Sequence, residues 1–216
     1  MKKIAISYKG IFNINYIKNK GVDLELLNSF KSTIQNHKQT IFNYLSESNE
    51  LDFFISTYDV DEKLNKLFLE NYNVKQLSFL QSSYMNVYSN TSQILHHKKI
   101  VSMIKEEEIK NNFFYDLIMI TRPDIFFYKD YNNISLILES FNITIEHESK
   151  NCDDNFWVFP RVYLDLFEES LESLLREDKI THEINHQLKR RQVPIHYIEP
   201  LFNGPYEQHL LFKFVR

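Results

Sequence analysis

Residues 115–127 read YDLIMITRPDIFF. The four consecutive apolar residues Leu117, Ile118, Met119 and Ile120 leave neither face of an extended segment polar, which is the pattern of a central strand in a sheet covered by helices on both sides. Pro123 has no N–H to give to a ladder, so the strand ends there. In open α/β sheets ligands gather beyond the carboxyl ends of the strands. This end carries Arg122, a permanent cation whose fork suits phosphate, and Asp124, an oxygen ligand for a hard cation. The plainer reading of the same residues is a surface ion pair at a strand end. The choice between the two depends on what the rest of the chain builds around this point.

Upstream, KKIAISYKG at residues 2–10 is a short apolar strand closed by a turn at Gly10. Residues 29–48 place Phe30, Ile34, Ile41, Phe42 and Leu45 at helical spacing. LDFFISTY at 51–58 is apolar, aromatic and β-branched, and the acidic DVDE that follows can open a helix carrying Leu64, Leu67 and Phe68. VKQLSFL reads as a third strand, and residues 91–110 as a longer helix with Ile94, Leu95, Val101 and Ile104 inside. Strand and helix alternate over about 125 residues, which predicts a βαβαβαβ half with a mainly parallel sheet. Downstream the pattern is mixed. FFYKD, ITIEHE and NFWVFP are short strand candidates, residues 161–176 form an amphipathic helix, and a charged helix over about 179–191 precedes IHYIEP. The expected class is α/β, a mainly parallel central sheet flanked by helices with a mixed C-terminal half.

Composition narrows the function. At 216 residues and 43% hydrophobic, with no Pro/Gly/Ser-rich linker, the chain suits a single domain around one sizeable core. With 3 Gly it contains neither GxGxxG nor GxxxxGK[ST], so any phosphate is held without a glycine-rich loop. The formal charge of −4 is spread among interspersed acids and bases, leaving no basic stripe for nucleic acid. Cys152 has no second cysteine to pair with, and the apolar stretch at residues 4–7 is too short for a signal-peptide core, so a reducing cytoplasmic setting is expected. No apolar run approaches the length of a membrane span.

The succession of an opening strand with a glycine turn, FISTY, a helix, YDLIMITRPDIFF, DDNFWVFP and a closing FKFVR resembles the small GT-A-type glycosyltransferase domains. Among these it is most like the soluble ones encoded by large DNA viruses, and the resemblance covers most of the chain. It implies a GT-A-like, Rossmann-like domain with a nucleotide-binding half over about 1–128 and an acceptor half over about 129–216. It also implies transfer of a sugar from a nucleoside-diphosphate sugar, with a UDP-sugar the expected donor, to a glycan or protein acceptor. In such enzymes an acidic motif after a central strand binds the diphosphate through Mn²⁺ or Mg²⁺. The matching place is Arg122-Pro123-Asp124, where arginine stands in the position of the first aspartate of Asp-any-Asp. Asp124 is then the expected metal ligand, and Arg122 neutralises charge on the leaving group. By the same resemblance Ser7, Tyr8, Lys9 and Gly10, with Thr57 and Tyr58, hold the base and ribose. An aromatic ring can stack on a base, and glycine allows close backbone approach.

Asp153-Asp154, just before the aromatic strand NFWVF, supplies the expected catalytic carboxylate, with Asp154 the better match. Such a group takes the acceptor hydroxyl's proton, and its aromatic surroundings predict a raised pKa. The plain alternative is a hydrophilic turn. A competing motif is His182-Glu183-Ile184-Asn185-His186, which fits the HExxH of zinc metallohydrolases. Lys189 and Gln192 break its longer form, and both histidines are expected to lie on an ordinary charged helix and to tolerate alanine. A catalytically inactive sugar-nucleotide-binding protein and a purely structural partner complete the set of readings.

Overall fold

The computed structural model describes residues 1–10, 23–59, 62–81, 89–147, 150–199 and 211–214. Val60 and Asp61 of the acidic stretch, Pro200 of IHYIEP and the last two residues of FKFVR lie outside them. The chain forms β1 (Lys2–Lys9) and then α1 (Leu24–His37), which runs through a π-helical turn (Lys38–Phe42) into α2 (Asn43–Ser46). Next come β2 (Asn49–Tyr58), α3 (Glu62–Asn71), β3 (Val74–Leu80), α4 (Ser89–Asn111), β4 (Leu117–Thr121) and β5 (Ile125–Phe127). The second half adds β6 (Phe141–Ile143), β7 (Phe156–Pro160), α5 (Leu164–Arg176), α6 (Ile184–Arg190), β8 (Ile195–Tyr197) and β9 (Phe212–Phe214).

A seven-stranded sheet has the order β3-β2-β1-β4-β7-β6-β8, and β5 pairs with β9 in a separate two-stranded sheet. The first four strands are mutually parallel. β7 runs antiparallel to both β4 and β6, and β8 is parallel to β6. Every residue of β4 is buried, as its unbroken apolar run requires. On one face of the sheet Ile4, Ile6, Tyr8, Phe53, Ile55, Met119 and Val158 pack with Leu26, Phe30 and Ile34 of α1 and Phe68 of α3. On the other, Ala5, Phe54, Ile118, Ile120, Trp157 and Phe159 pack with Ile100, Val101 and Ile104 of α4 and Phe167 and Leu171 of α5. Asp23 caps α1 by accepting from the Leu26 N–H at 3.0 Å.

The amino ends of the strands are tied by polar contacts that keep the opposite edge in register. The Lys3 N–H donates to Asp116 at 2.7 Å, Tyr115 Oη donates to Asp52 at 2.8 Å, and Arg161 Nε reaches Glu108 at 2.7 Å. Two elements depart from their sequence reading. The strand expected at ITIEHE lies earlier, at Phe141–Ile143, and beyond it Glu146 makes a single bridge to Cys152. This strand is short and its place is fixed by pairing with β7 and β8, which local alternation does not encode. The charged helix begins later than expected, at Ile184, after a 3₁₀ turn at Thr181–Glu183. Among the described residues no helix is long and apolar enough to cross a membrane.

Candidate functional site at the carboxyl edge of the sheet

Tyr8 lies opposite Thr121 in the β1–β4 ladder, and Thr121 opposite Phe156 in the β4–β7 ladder. Because β7 is antiparallel, its amino end shares an edge with the carboxyl ends of β1 and β4. The residues one step beyond this line are therefore Lys9, Arg122 and the Asp153–Asn155 turn. Lys9 Nζ donates to Asp154 Oδ2 at 2.6 Å, with side-chain exposures of 2% and 4%. His182 Nε2 meets the other oxygen, Oδ1, at 3.3 Å, and its side chain is 28% exposed. The 3₁₀ turn makes this possible by taking His182 off the helix face. Burial alone would raise the Asp154 carboxyl, but Lys9, His182 and Arg122 more than offset it. The group is held well below the usual carboxylate range, not raised as its aromatic surroundings suggest. His182 is shifted upward, since the Asp154 hydrogen bond and charge outweigh its burial. Lys9 is shifted downward, burial outweighing Asp154.

Arg122 and Asp124 form a fork, with Nε to Oδ1 at 2.8 Å and Nη2 to Oδ2 at 2.7 Å. The Phe214 ring lies 5.5 Å from the guanidinium carbon. Asp124 is 5% exposed, while the Arg122 side chain keeps 26%. The position of Asp124 is set by α1, whose last residues grip the strand that follows. The Asn36 amide accepts from Phe127 N at 2.7 Å and donates to Phe127 O at 3.0 Å. His37 Nε2 donates to Ile125 O at 2.6 Å. Since Nε2 carries the proton, Nδ1 accepts from Tyr8 Oη at 2.7 Å, and Tyr8 in turn accepts from Tyr72 at 3.0 Å. Burial pushes His37 down to about 4, so the ring is neutral and the chain keeps one direction.

The divalent cation expected at Asp124 meets a poor donor set. Both oxygens of that carboxylate already accept from Arg122, and the described residues contain no group of three His, Cys, Asp or Glu side chains suited to a metal. Hard cations need six or more oxygens, and the carboxylates at this edge are already engaged: Asp124 by Arg122, Asp154 by Lys9 and His182, and Asp153 by Asn155. Asp153 is fully buried and serves the turn: it accepts from the Asn155 N–H at 3.3 Å and from the Asn155 amide, and its carbonyl accepts from Trp157 Nε1 at 2.8 Å.

The remaining expected residues separate by face. Tyr8 points into the His37–Tyr72 chain on the α1 side. Ser7, Lys9, Ser56 and Tyr58 alternate onto the α4 side. There the Tyr58 ring stands edge-on to His96 at 4.6 Å, and His96 Nδ1 meets Ser56 Oγ at 2.8 Å. Gly10 adopts φ 77°, which favours glycine, and its N–H donates to Ser56 O at 2.9 Å; a Cβ there would meet nothing within 4 Å. Thr57 is buried. The sequence reading passed over His96 and His97. His97 is stacked on Trp157 at 4.7 Å, and among the described residues neither of its ring nitrogens has a hydrogen-bond partner, nor do the buried Ser7 Oγ, Thr121 Oγ1 and His96 Nε2. Two adjacent histidines in a helix signal nothing by spacing, and only their burial marks them. The HExxH pair is divided, with His182 on Asp154 and His186 Nε2 on Asn151 Oδ1 at 3.1 Å.

The architecture is a GT-A-like mixed α/β fold. No family model matches the chain, and no curated protein matches it in sequence. Solved structures resemble it in backbone course. A nucleoside-diphosphate-sugar pyrophosphorylase from Vibrio cholerae RC9 is 13% identical with a TM-score of 0.51, covering 92% of this chain and 91% of its own. A protein of Desulfovibrio desulfuricans G20, assigned as a nucleotide-diphospho-sugar transferase, is 10% identical with a TM-score of 0.48, covering 93% and 81%. At 13% identity the likeness to the Vibrio protein concerns the fold alone.

Proposed function

We propose that the protein is a glycosyltransferase whose donor is a nucleoside-diphosphate sugar. One observation carries the reading: Lys9, Arg122, Asp124, Asp154 and His182 converge at the carboxyl edge of the parallel strands, where open α/β sheets take their ligands. In this reading the nucleotide lies across the ends of β1 and β2, by Gly10 and Tyr58, and the diphosphate meets the part of Arg122 that Asp124 does not occupy. With 3 Gly the chain has no glycine-rich loop to wrap a triphosphate, which favours using a nucleotide sugar over making one.

Asp154 acts on the acceptor through His182. The buried carboxylate holds Nε2–H, leaving Nδ1 to take the acceptor hydroxyl's proton, as an aspartate orients a histidine in other acid–base pairs. The acceptor oxygen bonds to the anomeric carbon, the bond from that carbon to the phosphate oxygen breaks, and the nucleoside diphosphate leaves with the electron pair beside Arg122. The test is thermal unfolding of the full chain with nucleoside diphosphates and their sugars, uridine first. A ligand at a hundred times its Kd stabilises the native state by about 2.7 kcal/mol. If no nucleotide or nucleotide sugar raises the unfolding temperature, the reading fails.

A further inference from the structure

We infer that the diphosphate is bound without a divalent cation, and that Asp124 is the residue that positions Arg122 for it. The inference rests on the nucleotide-sugar reading above and concerns how that ligand is held. The fork with Asp124 uses two of the five guanidinium N–H groups, along the Nε–Nη2 edge. The other three have no partner among the described residues, and two of them form the Nη1–Nη2 edge, which again matches two phosphate oxygens. The guanidinium cannot turn freely, because Phe214 covers its face at 5.5 Å and Asp124 holds its inner edge. Asp124 is itself held: it precedes β5, whose Ile125 and Phe127 backbone groups are fixed by His37 and Asn36. The carboxylate that a cation would use is thus already the anchor of a cation.

Two further features oppose a metal here. A cation at Asp124 would have to share a carboxylate on which each oxygen already accepts a charge-assisted bond from Arg122. It also sets a divalent charge beside Lys9 and Arg122, which already act on each other as like charges. Lys9 Nζ donates to Asp154 and its side chain is 2% exposed, so its charge acts on the same ligand from behind the strand edge rather than by contact. A guanidinium and an ammonium at one strand edge supply fixed positive charge where the diphosphate gains charge on leaving.

The experiment is calorimetric titration of the full chain with uridine and guanosine diphosphates, once in EDTA and once with Mn²⁺, using wild type, Arg122→Lys and Asp124→Asn. Each variant is first checked for an unchanged unfolding profile. The expected result is binding in EDTA, with affinity altered by less than about threefold on adding Mn²⁺. Arg122→Lys keeps the charge but loses the second edge, and weakens binding by about tenfold to a hundredfold in both buffers. Asp124→Asn still accepts one guanidinium N–H, and its smaller loss is the same with and without Mn²⁺. Binding that requires Mn²⁺, or that Asp124→Asn abolishes while Arg122→Lys preserves it, overturns the inference and leaves the nucleotide reading standing. Absence of binding in both buffers overturns the nucleotide reading itself, and the inference with it.

Discussion

His37 and His97 lie on opposite faces of the same sheet, both buried and both held neutral by burial, yet they do opposite things with their nitrogens. On the α1 side His37 uses both, closing a chain from Tyr72 through Tyr8 to the Ile125 carbonyl. On the α4 side His97 uses neither with any described residue, and Ser7 Oγ and His96 Nε2 likewise meet none. A buried polar atom left without any partner costs about 1–3 kcal/mol, which makes the α4 face the side where a bound water or ligand has most to satisfy. The α1 face is a finished piece of structure that aims Asp124. The α4 face is a set of polar groups gathered beside Lys9, Asp154 and Tyr58.

The largest effect that would sharpen this contrast is on turnover. With a donor found by the binding screen, Asp154→Asn and His182→Ala should each lower the rate by about a hundredfold to ten-thousandfold, while Tyr72→Phe, on the finished face, leaves it within a few-fold. Rates unchanged in His182→Ala but lost in Asp154→Asn would make the carboxylate the base after all. Next in size is Lys9→Met. It removes the closer of the two partners of Asp154 in a site of 4% exposure, leaving only His182 on the carboxylate among the described residues, and chemical denaturation should show a loss of about 3–5 kcal/mol. The double variant Lys9→Met with Asp154→Leu should recover most of it, and failure to recover would mean that the pair is not the source.

The smallest test sets the two histidines against each other. His37→Phe abandons the Tyr8 hydroxyl and the Ile125 carbonyl and should cost about 1–3 kcal/mol, whereas His97→Phe abandons no partner and should be near neutral at pH 7. In acid both wild-type rings work against folding. Their folded pKa values are depressed below 6.5, that of His37 to about 4 and that of His97 further, so only the unfolded chain takes up their protons as the pH falls below about 6.5. Each ring then removes about 1.4 kcal/mol of stability per pH unit, levelling off for His37 near its folded value. His97→Phe should shallow the acid limb of the stability curve by that one contribution. Equal stability losses for the two variants at neutral pH would erase the contrast.

The parallel half was legible because its inner strands are buried on both faces, and such strands must read as unbroken apolar runs; LIMIT and FFIST carry their place in the sheet within themselves. Lys9, Arg122 and Asp154 were legible as polar residues at the ends of those runs. Their pairing was not. Lys9 meets Asp154, and Asp154 meets His182, through an antiparallel β7 and a 3₁₀ turn that no periodicity announces. His182 was hidden by the charged residues around it, which read as one solvated helix. The π-helical turn after His37, which follows the residues that grip β5, has no composition of its own. The short strands β6 and β8 were displaced or partial in the sequence reading because neighbours, not propensity, decide where they begin.

The grip of Asn36 on Phe127 also bears on how this molecule avoids its own copies. A side-chain amide offers one donor and one acceptor in the geometry of a peptide group, and here both engage the backbone of β5 on the side away from β9. An uncovered strand edge is a template on which another chain can lay down its own strand. Asn36, helped by His37 on the Ile125 carbonyl, fills that edge with a single residue's imitation of a neighbouring strand. The same amide that steadies Asp124 thus closes β5 to recruitment into an intermolecular sheet.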